Sequence, residues 1–213
     1  MSDVSRETAP LPDELRSSAT EVFGDYLPEM ERFAAHLAGA GVERGLMGPR
    51  EVPRLWERHL INCGVVAPRI PHGASVADVG SGAGLPGLVW ALMRPDISMT
   101  LIEPLQRRTI FLSEVVHNLG LGDRVTVFRG RADEVDATFD VVTARAVAAL
   151  EKLARWCMPL VGPRGVLLAL KGSSAPDEVD EARRTLQRLG GRDIRIEKYG
   201  DLEIPTTVVE VSR

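Results

Sequence analysis

The stretch Asp78-Val79-Gly80-Ser81-Gly82-Ala83-Gly84-Leu85-Pro86-Gly87 constrains this chain more than any other. It is entered from the apolar run Ser75-Val76-Ala77 and reads as a strand that turns on glycines into a helix. Nineteen residues after Gly84 stands Glu103, at the end of a second strand-like run, Ile97-Ser98-Met99-Thr100-Leu101-Ile102. Glycines let a ligand approach the backbone closely, and an acid at the tip of the next strand can hold two ribose hydroxyls. Together they describe a pocket for an adenosine-containing cofactor.

Two cofactors fit the glycines. Gly82-x-Gly84-x-x-Gly87 satisfies the dinucleotide fingerprint. Asp78-x-Gly80-x-Gly82-x-Gly84 matches the pattern of S-adenosylmethionine (SAM) methyltransferases. In a dinucleotide fold the first glycine closes the strand, so that the pyrophosphate meets the helix N-terminus. Gly82 comes two residues late for that, and Asp78 would have no task. A sulfonium cofactor has no phosphate but carries an ammonium group and a positive sulfur, which an acid beside the loop attracts. Pro86 suits the first turn of the following helix, where a missing N–H costs nothing. A nicotinamide oxidoreductase would also need a substrate domain or a Tyr-x-x-x-Lys pair. The 213 residues leave little room for the first, and neither Tyr26 nor Tyr199 has lysine four residues later. The methyltransferase reading is preferred.

That length buries one substantial core with a modest extension, so 1–213 reads as a single domain. Cys63 and Cys157 lie far apart with no Cys-x-x-Cys spacing, so neither a disulfide framework nor a metal site is expected. No apolar run approaches a membrane span, and the first residues lack a signal-peptide core, which points to the cytoplasm. The net charge of −4 hides a distribution. Residues 1–39 carry eight acids against three bases, whereas 40–70 carry five bases against three acids and 100–175 ten against eight. The middle of the chain is net positive, which permits a polyanionic partner, since local fields steer more than total charge.

From residue 75 onward the pattern alternates. Strands are expected at 75–79, 97–103, 124–128, 139–143 and 165–170, then at 192–198 and 206–212. Helices are expected at 85–94, 105–119, 148–160 and 176–189, with Leu112, Val115, Val116 and Leu119 forming one apolar stripe. Near-continuous apolar strands such as Val166-Leu167-Leu168-Ala169-Leu170 read as parallel strands covered on both faces. The fold class is therefore α/β, a Rossmann-like, doubly wound, mostly parallel sheet over 73–213 closing on an antiparallel hairpin. Residues 1–72 read as a helical N-terminal extension with a break near Pro28 and a further helix at about 52–66.

Three later pieces complete a pattern. Arg131-Ala132-Asp133-Glu134 follows the third strand, Phe139-Asp140-Val141-Val142-Thr143-Ala144-Arg145-Ala146 forms the fourth, and Leu168-Ala169-Leu170-Lys171-Gly172 closes the fifth. With the glycine loop and Glu103, the stretch from Arg58-His59 to Lys171 resembles the GidB (RsmG) family, the bacterial class I SAM-dependent methyltransferases of 16S ribosomal RNA that act on guanine N7. Gly45-Leu46-Met47 stands where that family usually has Asn-Leu-Thr, and Asn62 where an aspartate is common.

The resemblance implies SAM as donor, no metal, and one guanine in a decoding-region loop of 16S rRNA as acceptor, within the 30S subunit or an assembly intermediate. A monomer is the default expectation. Carried over, Asp78, Gly80, Gly82 and Leu85 would line the methionine and ribose side, and Glu103 would bind the ribose hydroxyls. Ala132 and Asp133 would sit at the adenine edge. Arg145 would stand beside the transferred methyl, touching cofactor and target base as the catalytic residue. Arg131 and Lys171, with Arg107 and Arg108, would face the RNA.

The chemistry is consistent with this. Guanine N7 is an unprotonated lone pair, so methyl transfer to it needs no general base and can run on positioning. Methylation of an exocyclic amine commonly uses an Asn/Asp-Pro-Pro-Tyr loop after the fourth strand, where this chain has Thr143-Ala144-Arg145-Ala146. Pyrimidine C5 methylation needs a cysteine there, and neither cysteine is so placed. The alternative is a SAM-dependent small-molecule methyltransferase on the same fold, which predicts a closed apolar pocket in place of an open basic rim.

Overall fold

The computed structural model describes residues 9–201 and 205–213. The N-terminal stretch without a signal-peptide core lies outside the described residues. Seven strands form one sheet: β1 (Ser75–Val79), β2 (Ser98–Ile102), β3 (Val125–Phe128), β4 (Phe139–Arg145), β5 (Val161–Lys171), β6 (Asp193–Tyr199) and β7 (Thr206–Ser212). Their order is β3-β2-β1-β4-β5-β7-β6. β1 to β5 pair in parallel, and β7 runs antiparallel to both β5 and β6. All seven lie where the apolar runs predict them. β4 runs two residues further than expected, to Arg145, and β5 begins earlier, at Val161.

The helices are α1 (Arg16–Phe23), α2 (Leu27–His36), α3 (Asn62–Gly64), α4 (Gly87–Met93), α5 (Gln106–Asn118), α6 (Leu150–Cys157) and α7 (Ala175–Arg188). Two expectations need correction. The break between α1 and α2 falls at Gly24, whose φ of 50° only a glycine adopts readily, while Pro28 sits in the first turn of α2. The helix expected at about 52–66 is irregular. Tight 3₁₀ turns span Pro49–Arg54, wide π turns span Leu55–Ile61, and only Asn62–Gly64 is α-helical. Pro53, without an N–H, cannot join a regular ladder there.

The period of two along each strand sorts side chains to two cores. Val76, Met99, Leu101, Val141, Leu168 and Leu170 pack with Phe23, Phe33, Trp56, Trp90 and Phe111 from the N-terminal segment, α4 and α5. Ala77, Val79, Val142, Leu167, Ala169 and Val209 pack with Leu150, Leu153, Cys157 and Leu186 from α6 and α7. The same alternation decides where the functional side chains point.

Candidate active site

β1 and β4 are neighbours in the sheet although β2 and β3 lie on the other side of β1, so the winding reverses between them. In open α/β sheets, ligands bind outside the carboxyl ends of the strands at that switch point. The glycine loop leaves β1 here. Gly80 N–H and Ser81 N–H donate to Ile102 O (2.8 and 3.2 Å), and Gly82 N–H donates to Glu103 Oε2 (3.0 Å). Gly80, Gly82 and Gly84 have φ of 73°, 56° and 89°, the left-handed region that other residues avoid. A methyl group built on Gly82 would meet only Gly80 O, at 3.8 Å, so bare backbone faces open space.

Asp78 is on the face of β1 shared with Val76, level with Thr143 of β4. It is fully buried, and its Oδ2 accepts a hydrogen bond from Gly87 N–H at the start of α4 (3.0 Å). Its other oxygen, Oδ1, is buried with no partner among the described residues. Burial pushes its carboxyl up from 3.8 to about 7, against the opposing pull of the Gly87 hydrogen bond and Arg145.

Glu103 is only 1% exposed. Oε1 accepts from Leu105 N–H (3.0 Å), while Oε2 takes Gly82 N–H and lies 3.4 Å from Arg108 Nη1. The acid thus ties the glycine loop to the head of α5. Beside it, Gly130 N–H donates to Glu103 O (3.3 Å), which brings the turn Ala132–Glu134 alongside. Ala132 is buried and Asp133 exposed. Leu85 is half-buried in the loop. Val147 lies over Gly80, where an added methyl would come within 2.9 Å of its Cγ2.

Arg145 ends β4 on the face of Val141 and Thr143, toward the N-terminal helical segment. Its Nη1 donates to Cys63 Sγ (3.1 Å), His59 O (3.4 Å) and Arg58 O (3.5 Å), and its Nη2 contacts His59 Nδ1. Lys171, one residue past the Arg145 partner Leu170, falls on the opposite face. There its Nζ donates to Ala148 O (2.9 Å) and pairs with Glu178 Oε2 (2.6 Å), leaving the side chain 11% exposed. Lys171 is thus paired with α7 and the β4–α6 loop while it lines the same open groove as Arg145. Arg108, partly exposed, reaches back to Glu103. Arg107 and Arg131 are exposed as expected.

Between the N-terminal turns and the β5-β7-β6 edge lies an open groove of about 760 Å³. Arg145 and Ala146 line it, and Arg54, Arg58 and Lys198 bring exposed cations to it. Ala146 has φ of 54°, the one positive value of a non-glycine among the described residues. A bend of that kind costs energy and clusters at functional sites.

The profile of the GidB family, described as rRNA small subunit methyltransferase G, matches residues 26–204. The chain belongs to that family. A protein named Ribosomal RNA small subunit methyltransferase G from Renibacterium salmoninarum is 55% identical over 199 residues, covering 92% of this chain and 93% of that one. One of the same name from Salinispora arenicola is 54% identical over 212 residues, covering 95% and 88%. Among solved structures, the S-adenosylmethionine-dependent methyltransferase SibL matches with a TM-score of 0.62 at 16% identity, covering 94% of this chain and 72% of that one. A SAM-dependent O-methyltransferase from Thermotoga maritima matches at 0.57 and 16% identity, covering 76% and 69%. These two likenesses establish the class I methyltransferase fold.

The geometry of this GidB-family chain fits SAM. Among the described residues Asp78 Oδ1 is buried without a partner, a carboxyl oxygen that a positive ligand would favour in its ionised form, and the open face at Gly82 leaves room beside the loop. Among the described residues, no group of three or more His, Cys, Asp or Glu is placed to hold a metal ion, and no helix is long and apolar enough to cross a membrane. Sequence reasoning missed His59, Glu51 and Arg54 at the site. His59 was legible only as a helix residue, because the irregular turns that carry it to Arg145 leave no periodic signal.

Proposed function

We propose that this chain transfers a methyl group from SAM to N7 of one guanine in the decoding-region loop of 16S rRNA. It would act in the cytoplasm as a monomer, on the 30S subunit or an assembly intermediate, with 1–72 and 73–213 forming one methyltransferase domain. The observation that carries this reading is that Asp78 and Arg145 share one face of the sheet at its switch point, beside an open groove in which five Lys and Arg outnumber three Glu. A small-molecule methyltransferase would call for a closed, largely apolar cavity.

SAM supplies an electrophilic methyl group. Asp78 would hold its positive end and Glu103 its ribose, with Gly80, Gly82 and Leu85 lining the pocket and Ala132 and Asp133 at the adenine edge. Arg145 would fix the target guanine by donating to O6 or to a phosphate, leaving N7 free to attack. No proton leaves N7 during transfer, so positioning suffices. Arg107 and Arg131 would add phosphate contacts at the exposed rim.

Glu103→Ala is expected to weaken SAM binding by roughly 10–100-fold in calorimetry, because hydrogen bonds to a charged group are worth about 1.5–3 kcal/mol. Unchanged affinity would remove Glu103 from the ribose. For the groove, the double variant Arg54→Ala/Lys198→Ala should bind rRNA with a shallower salt dependence, the slope falling by about 0.7 for each phosphate that is no longer neutralised. SAM affinity should stay as in the wild type. An unchanged slope would mean that the RNA takes another path.

A further inference from the structure

His59 sits between two groups that together dictate its chemistry. Its Nε2 lies 2.9 Å from Glu51 Oε2, and its Nδ1 meets Arg145 Nη2. A guanidinium has donors only, so Nδ1 must be the bare acceptor, and the proton must be on Nε2, pointing at the carboxylate. Glu51 comes from the 3₁₀ turns, His59 from the π turns and Arg145 from β4, so the contact joins three elements. The imidazole is only 14% exposed, whereas Glu51 is 37% exposed at the groove.

We propose that His59, oriented by Glu51, is a positioning residue for Arg145: its neutral Nε2–H form presents Nδ1 to the guanidinium and sets the angle at which the arginine meets the target base. This rests on the functional reading above, in which Arg145 stands at the methyl-transfer centre. Protonation of His59 would put an N–H opposite the guanidinium, two donors and two cations face to face, and Arg145 would lose that support.

The surroundings hold His59 neutral. Burial and the Arg145 charge push its pKa below the ordinary histidine value, with Arg58 adding a little, while Glu51 pulls the other way. Glu51 in turn faces Arg58 at 3.7 Å and feels Arg54. Arg145 also donates to the buried Cys63 thiol, and its charge is felt by the Asp78 carboxyl. The support is therefore intact at neutral pH and is lost as pH falls below the ordinary histidine range.

Two substitutions separate positioning from packing. Asparagine places its amide where Nδ1 stands, and glutamine places its amide where Nε2 stands. Single-turnover methylation of the small subunit, at saturating SAM, should fall on the acid side for the wild type. His59→Asn should keep a rate within about fivefold of wild type at pH 8 and lose the acid limb, whereas His59→Gln should be slower by roughly tenfold or more at pH 8 and converge with the wild type on the acid side, with KM for SAM little changed. The tautomer itself is read by ¹⁵N NMR of the histidine in the SAM-free protein, where Nε2 should carry the proton. A protonated Nδ1, or a His59→Gln enzyme as fast as wild type at pH 8, would overturn the proposal. A wild type that methylates no RNA would defeat the functional reading, and the NMR result would still report on the Glu51–His59–Arg145 contact.

Discussion

Arg145→Ala is expected to slow methyl transfer on the order of a hundredfold to a thousandfold at saturating SAM and RNA, the range in which lost positioning and a lost charged donor fall. The substitution removes the one side chain that links β4 to Cys63, His59 and the Arg58 carbonyl. Those acceptors are then left without their donor, at about 1–3 kcal/mol of stability. The melting temperature should therefore be measured beside the rate, so that a folded but inactive enzyme is distinguished from an unstable one. Arg145→Lys should not rescue the rate, because a single ammonium cannot span acceptors that the planar fork reaches together. A rate near wild type for Arg145→Ala would show that the arginine has been given the wrong role.

Asp78→Asn is expected to separate stability from binding. The native carboxyl keeps its proton up to about pH 7, whereas in the unfolded chain it titrates near 3.8. Between those values the folded state binds the extra proton, so stability falls as pH rises and stays lower above pH 7 by roughly 4 kcal/mol. Asparagine removes that loss. The variant should be at least as stable as wild type at pH 8 and should show a flatter dependence of stability between pH 4 and 7. SAM affinity should nevertheless fall on the order of a hundredfold, since a positive ligand would lose its buried counter-charge. Full SAM affinity in the asparagine variant would show that the carboxylate has no part in holding the cofactor.

Most of the sheet was legible because buried strands, parallel or antiparallel, are written as short apolar runs. Ser75–Val79 and Thr206–Ser212 lie where those runs predict, to the residue. The site was legible as far as its backbone is unusual: glycines at positive φ and an acid at a strand tip leave a local signature. Side-chain direction was not. Lys171 and Arg145 stand at similar strand ends and line the same groove, yet the pleat gives Lys171 to Glu178 and Arg145 to His59 and Cys63, partners that the sequence alone does not name. Arg108 is adjacent to Arg107 on the same helix and still turns inward to Glu103. The N-terminal turns were least legible, because Pro53 and the π turns after it break the period on which helix reading depends.

The decisive experiment offers methyl-labelled SAM with small ribosomal subunits that lack the modification and, in parallel, with free 16S rRNA. Label is expected at N7 of a single guanine in the decoding-region loop, and the preferred substrate form will show whether ribosomal proteins shape the site. No label in either substrate, from a protein that binds SAM tightly, would refute an rRNA acceptor and favour a small molecule in its place.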